Sequence, residues 1–246
     1  MKKSLLEKFI GKYHLGGATE KALIVSLPDN ALEVNFVTED QHLAGTVSAI
    51  IPDGLPEGEY PVFSSSHLSK LLSLLDHDPV PSIITKIRDD VTVPIAVEFS
   101  EGTTKVSFPL ANIKNMPSTL DEVTLPDEAA LQFTVDAEFI NKFNRAVGIL
   151  SEVAYFSIIS KKSGVFVIVG DPSTNSNKIT LEITPLSPVN EFSAIKFFAK
   201  YVKDILTANK DMTGIVTVYT EGIMQLQFKD DSFNSKYYLT EMTGTS

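Results

Sequence analysis

Short segments in which apolar and polar residues alternate make up most of this 246-residue chain. The apolar members of the clearest segments are Leu23, Val25 and Leu27; Leu32, Val34 and Phe36; Val93, Ile95, Val97 and Phe99; Val106, Phe108 and Leu110; Ile179, Leu181 and Ile183; and Met224, Leu226 and Phe228. Because strand side chains point alternately to two faces, this period predicts antiparallel sheets with one buried and one wetted face. Turn-forming residues at 28–30, 101–102, 163–164 and 221–222 predict hairpins between the strands.

Four other stretches carry apolar residues three and four positions apart, which predicts amphipathic helices with one buried stripe each. These stretches are 2–13, 65–75, 136–147 and 199–210. The expected stripes are Leu5, Leu6, Phe9, Ile10 and Tyr13; Leu68, Leu71, Leu72 and Leu75; Phe139, Ile140, Phe143 and Val147; and Val202, Ile205 and Leu206. One of the serines at 64–66 is expected to cap the second helix, and Asp136 the third.

The spacing of the helices indicates an internal repeat. Leu6 and Leu68 lie 62 residues apart, and Phe139 and Val202 lie 63 apart. Each half has the order helix, three strands, a further strand, helix, three strands, with little residue identity between the halves. The turn-rich segment 111–128 separates them. The sequence therefore predicts an α+β fold with two similar domains, 1–110 and 129–246, each with antiparallel sheets backing two helices.

Positive charge is concentrated on the predicted helices, although the chain has a formal net charge of −10. The four helical stretches hold 10 of the 21 basic residues but only 4 of the 31 acidic ones. Such a distribution favours one surface that faces a polyanion, and a row of helices backed by sheets suits the phosphates of duplex DNA. The alternative is that these cations are simply solvated helix faces. The predicted DNA-facing residues are Lys3, Lys8, Lys12, Lys70, Lys142, Arg145, Lys200, Lys203 and Lys210.

The sequence offers little for catalysis or for ligand chemistry. It has no cysteine, which excludes disulfides and thiolate sites and suits a reducing cytoplasm, and its four histidines have no metal-ligand spacing. It has no phosphate-binding loop, nucleophile motif or membrane-spanning apolar run. We therefore expect a cytoplasmic protein that is not an enzyme and that uses no cofactor, metal or membrane.

The chain resembles the DNA sliding clamps, also called DNA polymerase processivity factors, most clearly over residues 130–246. The resemblance rests on a helix followed by FSIISKKSGVFVIVGD and NKITLEIT, and on a closing helix, hairpin and KYYL strand. The two-domain length is similar to that of clamps that form homotrimers. The chain opens on a basic helix without the strand that usually precedes it in cellular clamps, so its layout looks closest to T4-type bacteriophage clamps.

The resemblance implies a closed homotrimeric ring around double-stranded DNA, which binds DNA without sequence specificity and tethers the DNA polymerase, with a clamp loader as a further partner. In the family, partner peptides dock in a groove between the linker and the last strand, and an edge strand of one subunit pairs with one of the next. The implied groove residues are Met116, Leu120, Val123, Leu125, Pro126, Tyr238 and Met242. The implied joint uses residues 103–110 and 176–184, in particular Lys105, Val106, Phe108, Ile179 and Leu181.

Other interpretations stay open at this point. The linker residues could tie the linker onto its own domain, and one of the neighbouring tyrosines Tyr237 and Tyr238 should face inward as part of the core. The whole chain could instead be a structural β-protein of a bacteriophage virion, or a monomeric DNA-binding accessory subunit of a polymerase.

Overall fold

The computed structural model describes residues 1–88, 90–117, 123–172 and 176–242, and every side chain in these ranges except that of Arg88. The chain forms two compact units. The first comprises Met1–Val37, Gly45–Leu120 and Asp231–Ser235, and the second comprises Thr38–Ala44, Asp121–Asp230 and Lys236–Ser246. Each unit therefore contains one short segment that is distant in sequence from the rest of it, which the sequence did not predict.

The first unit contains α1 (Lys3–His14) and α2 (Ser65–Leu72). Its strands are β1 (Ala22–Leu27), β2 (Ala31–Val37), β3 (Leu43–Ile50, from residue 45 onward), β4 (Gly58–Val62), β5 (Val80–Arg88), β6 (Val91–Glu101) and β7 (Thr104–Pro109). One sheet has the order β4-β1-β2-β3 and another the order β5-β6-β7. The helices α1 and α2 pack together, and the predicted stripes are confirmed because Phe9, Tyr13 and Leu72 are fully buried.

The second unit contains α3 (Ala137–Ile149) and α4 (Ala199–Ala208). Its strands are β8 (Leu131–Val135), β9 (Tyr155–Lys161), β10 (Gly164–Val169), β11 (Ile179–Ile183), β12 (Phe192–Phe198), β13 (Gly214–Tyr219), β14 (Ile223–Lys229) and β15 (Phe233–Thr240, from residue 236 onward). Its sheets have the orders β15-β14-β13-β8 and β11-β10-β9-β12. Aromatic side chains fill the space beneath the helices, where the rings of Phe143 and Phe156 meet edge to face with centroids 5.1 Å apart.

The predicted order of elements is confirmed in both halves, and the class is α+β. The predicted caps are also present: Ser64 accepts a hydrogen bond from the His67 amide, and Asp136 accepts one of 2.9 Å from the Phe139 amide. The second half differs from the first by β8, which precedes α3 and pairs with β13. The sequence analysis missed this strand, although Leu131, Phe133 and Val135 alternate and are buried.

The predicted inward face of β1 is wrong. The sequence analysis assigned Leu23, Val25 and Leu27 to it, but the structure buries Ala22, Ile24 and Ser26 instead. Both faces of this strand are rich in apolar residues, so alternation alone does not decide which one is buried. Ser26 is tolerated inside because its hydroxyl donates a hydrogen bond of 2.8 Å to the carbonyl of Leu55.

No helix in the described ranges is long and apolar enough to span a membrane.

Candidate nucleic-acid interface and partner sites

The helices of the second unit present a basic face. They pack side by side, and Asn144 of α3 donates a hydrogen bond of 3.2 Å to the Thr207 hydroxyl of α4. The buried stripes turn Ile140, Phe143, Val202 and Leu206 toward the sheets. The cations therefore point away from the core: Lys142, Arg145 and Lys200 are exposed, and Lys203 is half-buried.

Two of these four cations are paired with acids one helical turn away. Lys142 Nζ lies 2.6 Å from Glu138 Oε1, and Lys200 Nζ lies 3.0 Å from Asp204 Oδ2. Exposed pairs of this kind stabilise a helix by only about 0.3–0.5 kcal/mol, but they lower the net positive charge of the face. Arg145 forms no ion pair with any residue that the structure describes.

The first unit presents fewer cations. Lys8 on α1 and Lys70 on α2 are exposed. The side chain of Lys3 is only 18% exposed, because its ammonium group donates to the Leu75 carbonyl and lies 3.6 Å from Glu7 Oε1. In the second unit, the remaining predicted residue, Lys210, follows α4 and is exposed.

The prediction that Lys12 faces DNA is wrong. Lys12 is 1% exposed, and its ammonium nitrogen lies 5.0 Å from the ring centroid of Phe233. The sequence analysis placed Lys12 on the exposed face of Lys8, four residues earlier. Four residues advance an α-helix by about 40° beyond one full turn, and here that rotation carries Lys12 toward the buried stripe of Phe9 and Tyr13.

The predicted partner groove is half-buried wherever the structure describes it. Met116, Val123, Leu125, Pro126, Tyr238 and Met242 all have intermediate exposure, and Leu120 lies outside the described residues. Within the second unit, the Met242 amide donates a hydrogen bond of 2.8 Å to the Lys196 carbonyl, which attaches residue 242 to β12.

The two neighbouring tyrosines of β15 divide as expected. Tyr237 is fully buried, and its hydroxyl accepts a hydrogen bond of 3.0 Å from Asn209, whereas Tyr238 is half-buried. Burial, together with the nearby Tyr238, raises the pKa of Tyr219. Of these two rings, Tyr219 is buried and Tyr238 is half-buried.

The predicted joint strands lie at open sheet edges, since among the described residues β7 pairs only with β6 and β11 only with β10. The side chains of Val106 and Phe108, however, are buried in their own unit at 6% and 0% exposure. Phe108 stacks on Phe63 with 5.6 Å between the ring centroids. A joint at this edge would therefore use the backbone of β7 rather than these two side chains, and their place in it stays a prediction. Lys105 is exposed, and Ile179 and Leu181 are half-buried.

A polar cluster in the second unit was missed by the sequence analysis. The Tyr201 hydroxyl of α4 donates a hydrogen bond of 2.6 Å to Asp40 Oδ2, and Thr38 donates one of 2.6 Å to Asp40 Oδ1. Burial and the hydrogen bond to Asp40 raise the pKa of Tyr201 to about 12. Asp40 and Tyr201 are 161 residues apart in sequence, so no local pattern could have revealed their contact.

A second such cluster closes the N-terminus of α2 in the first unit. Glu20 Oε2 accepts hydrogen bonds from the Ser66 amide and hydroxyl at 3.1 and 3.0 Å, and Glu20 Oε1 lies 3.0 Å from His14 Nε2. Burial opposes ionisation of Glu20, but the hydrogen bonds from His14 and Ser66 outweigh it and lower the pKa of this carboxyl. The cluster thus provides hydrogen-bond partners for the first turn of α2.

Nothing in the described ranges groups three or more residues that could ligate a metal. The site residues that the structure describes offer charge and surface for binding.

Comparisons with solved structures show that the fold of this chain is similar to that of PCNA. No protein-family model matches the chain, and no curated protein sequence matches it. Among solved structures, the chain is similar to A. fulgidus PCNA bound to the C-terminal region of FEN-1, with a TM-score of 0.74 and 13% identity. This match covers 100% of this chain and 98% of that one.

A second solved structure is the proliferating cellular nuclear antigen of Entamoeba histolytica, with a TM-score of 0.71 and 15% identity. It covers 98% of this chain and 96% of that one. At these identities the likeness shows the fold alone, which is that of PCNA over nearly the whole chain.

Proposed function

We propose that this chain is a subunit of a DNA sliding clamp that encircles double-stranded DNA and tethers the replicative DNA polymerase. The observation that supports this most strongly is the fold likeness to two clamps, which extends over nearly the full length of each partner. The basic helix faces of both units add independent support, because an acidic chain has little other reason to concentrate its cations there.

The mechanism is topological. A ring stays on DNA because it surrounds it, so its direct attraction to phosphate can be weak enough to permit sliding. Cations that do not touch phosphate still act over about 8 Å at physiological salt, and Lys8, Arg145 and Lys203 would centre the duplex through such contacts. The tethered polymerase would then remain near the primer end at high effective concentration.

Partner proteins would dock on the residues that the resemblance implies as a groove, which are Met116, Leu120, Val123, Leu125, Pro126, Tyr238 and Met242. Those that the structure describes are half-buried, and half-buried apolar and aromatic side chains suit the apolar side chains of a short peptide. The A. fulgidus clamp is bound to the C-terminal region of FEN-1, which is a partner segment of this general kind. The polymerase and a clamp loader are the partners that we propose here.

The finer features of the proposal follow from the resemblance. The clamp would be a homotrimer, with domains at 1–110 and 129–246 joined by the linker 111–128. Its layout would be closest to the T4-type bacteriophage clamps, and it would act in the cytoplasm of the host cell. It would need no cofactor, metal or membrane.

Native mass spectrometry at dilute concentration tests the proposal. Three copies of the 26.9 kDa chain are expected. A stable single copy would reject the ring and favour a monomeric DNA-binding accessory subunit. An assembly with a different number of copies that does not bind duplex DNA would favour a structural protein of a virion.

A further inference from the structure

The strands β7 and β11 each leave one side without a strand partner among the described residues. An open edge presents unpaired backbone N–H and C=O groups, to which another strand can bind. The proposed function requires a joint between copies, and it leaves open how two such edges would align. The inference below rests on that function and concerns the alignment.

The residues of β7 that face its open side follow from its pairing with β6. In an antiparallel pair, successive residues alternate between bonding to that neighbour and facing away from it. Glu101 pairs with Thr104 across a two-residue turn, and the Leu110 amide still donates to the Ile95 carbonyl at 2.8 Å. Even-numbered residues therefore bond to β6, and Lys105 and Ser107 direct their backbone groups to the open side.

The same reasoning applies to β11. Lys161 pairs with Gly164 across the turn between β9 and β10, so alternate residues of β10, beginning with Val165, bond to β11. Val165 pairs with Ile183, and Val167 with Leu181. The backbone groups of Thr180 and Glu182 therefore face the open side, and their side chains are exposed.

In the joint that the resemblance implies, β7 of one copy pairs with β11 of the next. We propose its register: the strands run antiparallel, with Lys105 opposite Glu182 and Ser107 opposite Thr180. This register places two opposite charges face to face and two hydroxyl side chains face to face, which are favourable cross-strand pairs. On the other face of the sheet, Val106 lies next to Leu181. The apolar layer of one copy thus continues into that of the next.

Charge selects this register from its neighbours. A shift by two residues keeps the backbone groups aligned but places Lys105 opposite Thr180 or Thr184, which leaves Glu182 without an opposite charge. In the proposed register, the Lys105 ammonium group, already 3.1 Å from Glu98 Oε1, has a carboxylate on each side. Since β7 and β11 are different surfaces, the contact is head-to-tail, and such contacts close into a ring when the rotation between copies permits.

Cysteine cross-linking tests the register directly, because the chain has no cysteine of its own. Directly opposite residues have Cα atoms about 5.5 Å apart, which a disulfide can span. Diagonal neighbours are about 7–8 Å apart, which it spans poorly. We expect the double variant Ser107→Cys/Thr180→Cys to form covalent trimers on oxidation, whereas Ser107→Cys/Glu182→Cys forms few.

Three outcomes separate this proposal from the proposed function. If the unmodified protein is a monomer by mass, both fail. If it is a trimer but cross-links through the 107/182 pair, or through neither pair while each variant melts like the unmodified protein, only the register fails. A trimer that cross-links through the 107/180 pair supports both.

Charge reversal provides a second measurement. Lys105→Glu and Glu182→Lys should each weaken trimer formation about tenfold or more, because like charges then face one another across the joint. The double variant Lys105→Glu/Glu182→Lys should recover most of the lost trimer formation, because opposite charges face one another again. The matched double variant Lys21→Glu/Glu152→Lys, at exposed positions on neither edge, should leave the trimer unchanged. Failure of the double variant to recover assembly would overturn the proposed register.

Discussion

The acids on the second unit's helices should limit how strongly the protein attracts DNA. Glu138 and Asp204 lie 2.6 and 3.0 Å from the ammonium groups of Lys142 and Lys200. Glu138→Gln together with Asp204→Asn would remove two negative charges and leave both lysines free for phosphate. We therefore expect the double variant to bind duplex DNA more tightly at low salt and to depend more steeply on salt.

The size of the effect follows from counterion release. Each additional phosphate contact steepens the dependence of log K on log salt by about 0.9. Two additional contacts would therefore steepen it by about 1.8, so a fourfold rise in salt would weaken the variant about 12-fold more than the unmodified protein. The lost ion pairs should reduce the free energy of unfolding by less than about 1 kcal/mol in total, since both lie on exposed helix surface.

Fluorescence anisotropy with a short duplex, measured over a salt series, gives both slopes. The control is Glu57→Gln/Glu152→Gln, which removes two exposed acids outside the helices. The control should move the slope little. An unchanged slope in the Glu138/Asp204 variant, or a slope equal to that of the control, would refute the assignment of this helix face to DNA.

Three further predictions follow from single side chains. Lys12→Ala should lower the free energy of unfolding by about 1–3 kcal/mol, because it empties a buried site, and should leave the salt dependence of DNA binding unchanged. Lys8→Ala, at an exposed position, should leave the free energy of unfolding unchanged and make DNA binding less dependent on salt. Thermal melts measure the first quantity and anisotropy the second. Glu20 has a lowered pKa in the folded state, so its contribution to stability is present above the ordinary carboxyl pKa and is lost as pH falls through the folded value. Glu20→Gln should thus cost about 1 kcal/mol at neutral pH and progressively less in acid, measured by urea unfolding. Tyr201 has a raised pKa of about 12, so its hydrogen bond to Asp40 stabilises the fold below the ordinary tyrosine pKa, and this stabilisation is lost as pH rises toward 12. Tyr201→Phe should therefore lower the free energy of unfolding by about 1 kcal/mol at neutral pH and by less in strong alkali.

A specific result would contradict each of these predictions. If DNA binding by Lys12→Ala depended less on salt than binding by the unmodified protein, Lys12 would have to be reassigned to the DNA-facing residues. A constant stability difference between Glu20→Gln and the unmodified protein across the acid range would show that the carboxylate does not stabilise α2. Equal stability of Tyr201→Phe at neutral pH would mean that the Asp40 contact contributes nothing.

Much of the fold could be predicted because its local patterns agree. The stripe of Phe9, Ile10 and Tyr13 has one orientation that buries it, and Asp136 has a single helix end to cap. The strand β1 failed because Leu23 and Ile24 are both apolar, so only pairing with neighbouring strands selects the inward face. Short segments such as residues 38–44 leave no sequence signal of the unit to which they belong, because contacts such as that of Asp40 with Tyr201 are long-range.

The candidate site was predictable in outline, and less so for individual side chains. Charge counting locates the basic helices, but it cannot tell an exposed lysine from one at the edge of the buried stripe, as Lys12 shows. Alternation predicts the strand β7, and the structure shows that Val106 and Phe108 point inward while Lys105 and Ser107 are exposed. Distant pairs such as Asp40 and Tyr201 require the folded chain.

Retention on end-blocked DNA tests the claim that this protein encircles the duplex. The protein would be threaded onto linear duplex attached to a bead at one end, and the free end would then be capped with a bulky group. In about 1 M salt, where electrostatic attraction is screened within about 3 Å, we expect it to stay on capped DNA and to leave uncapped DNA. Cutting next to the cap should release it. Equal loss from capped and uncapped DNA would contradict the ring.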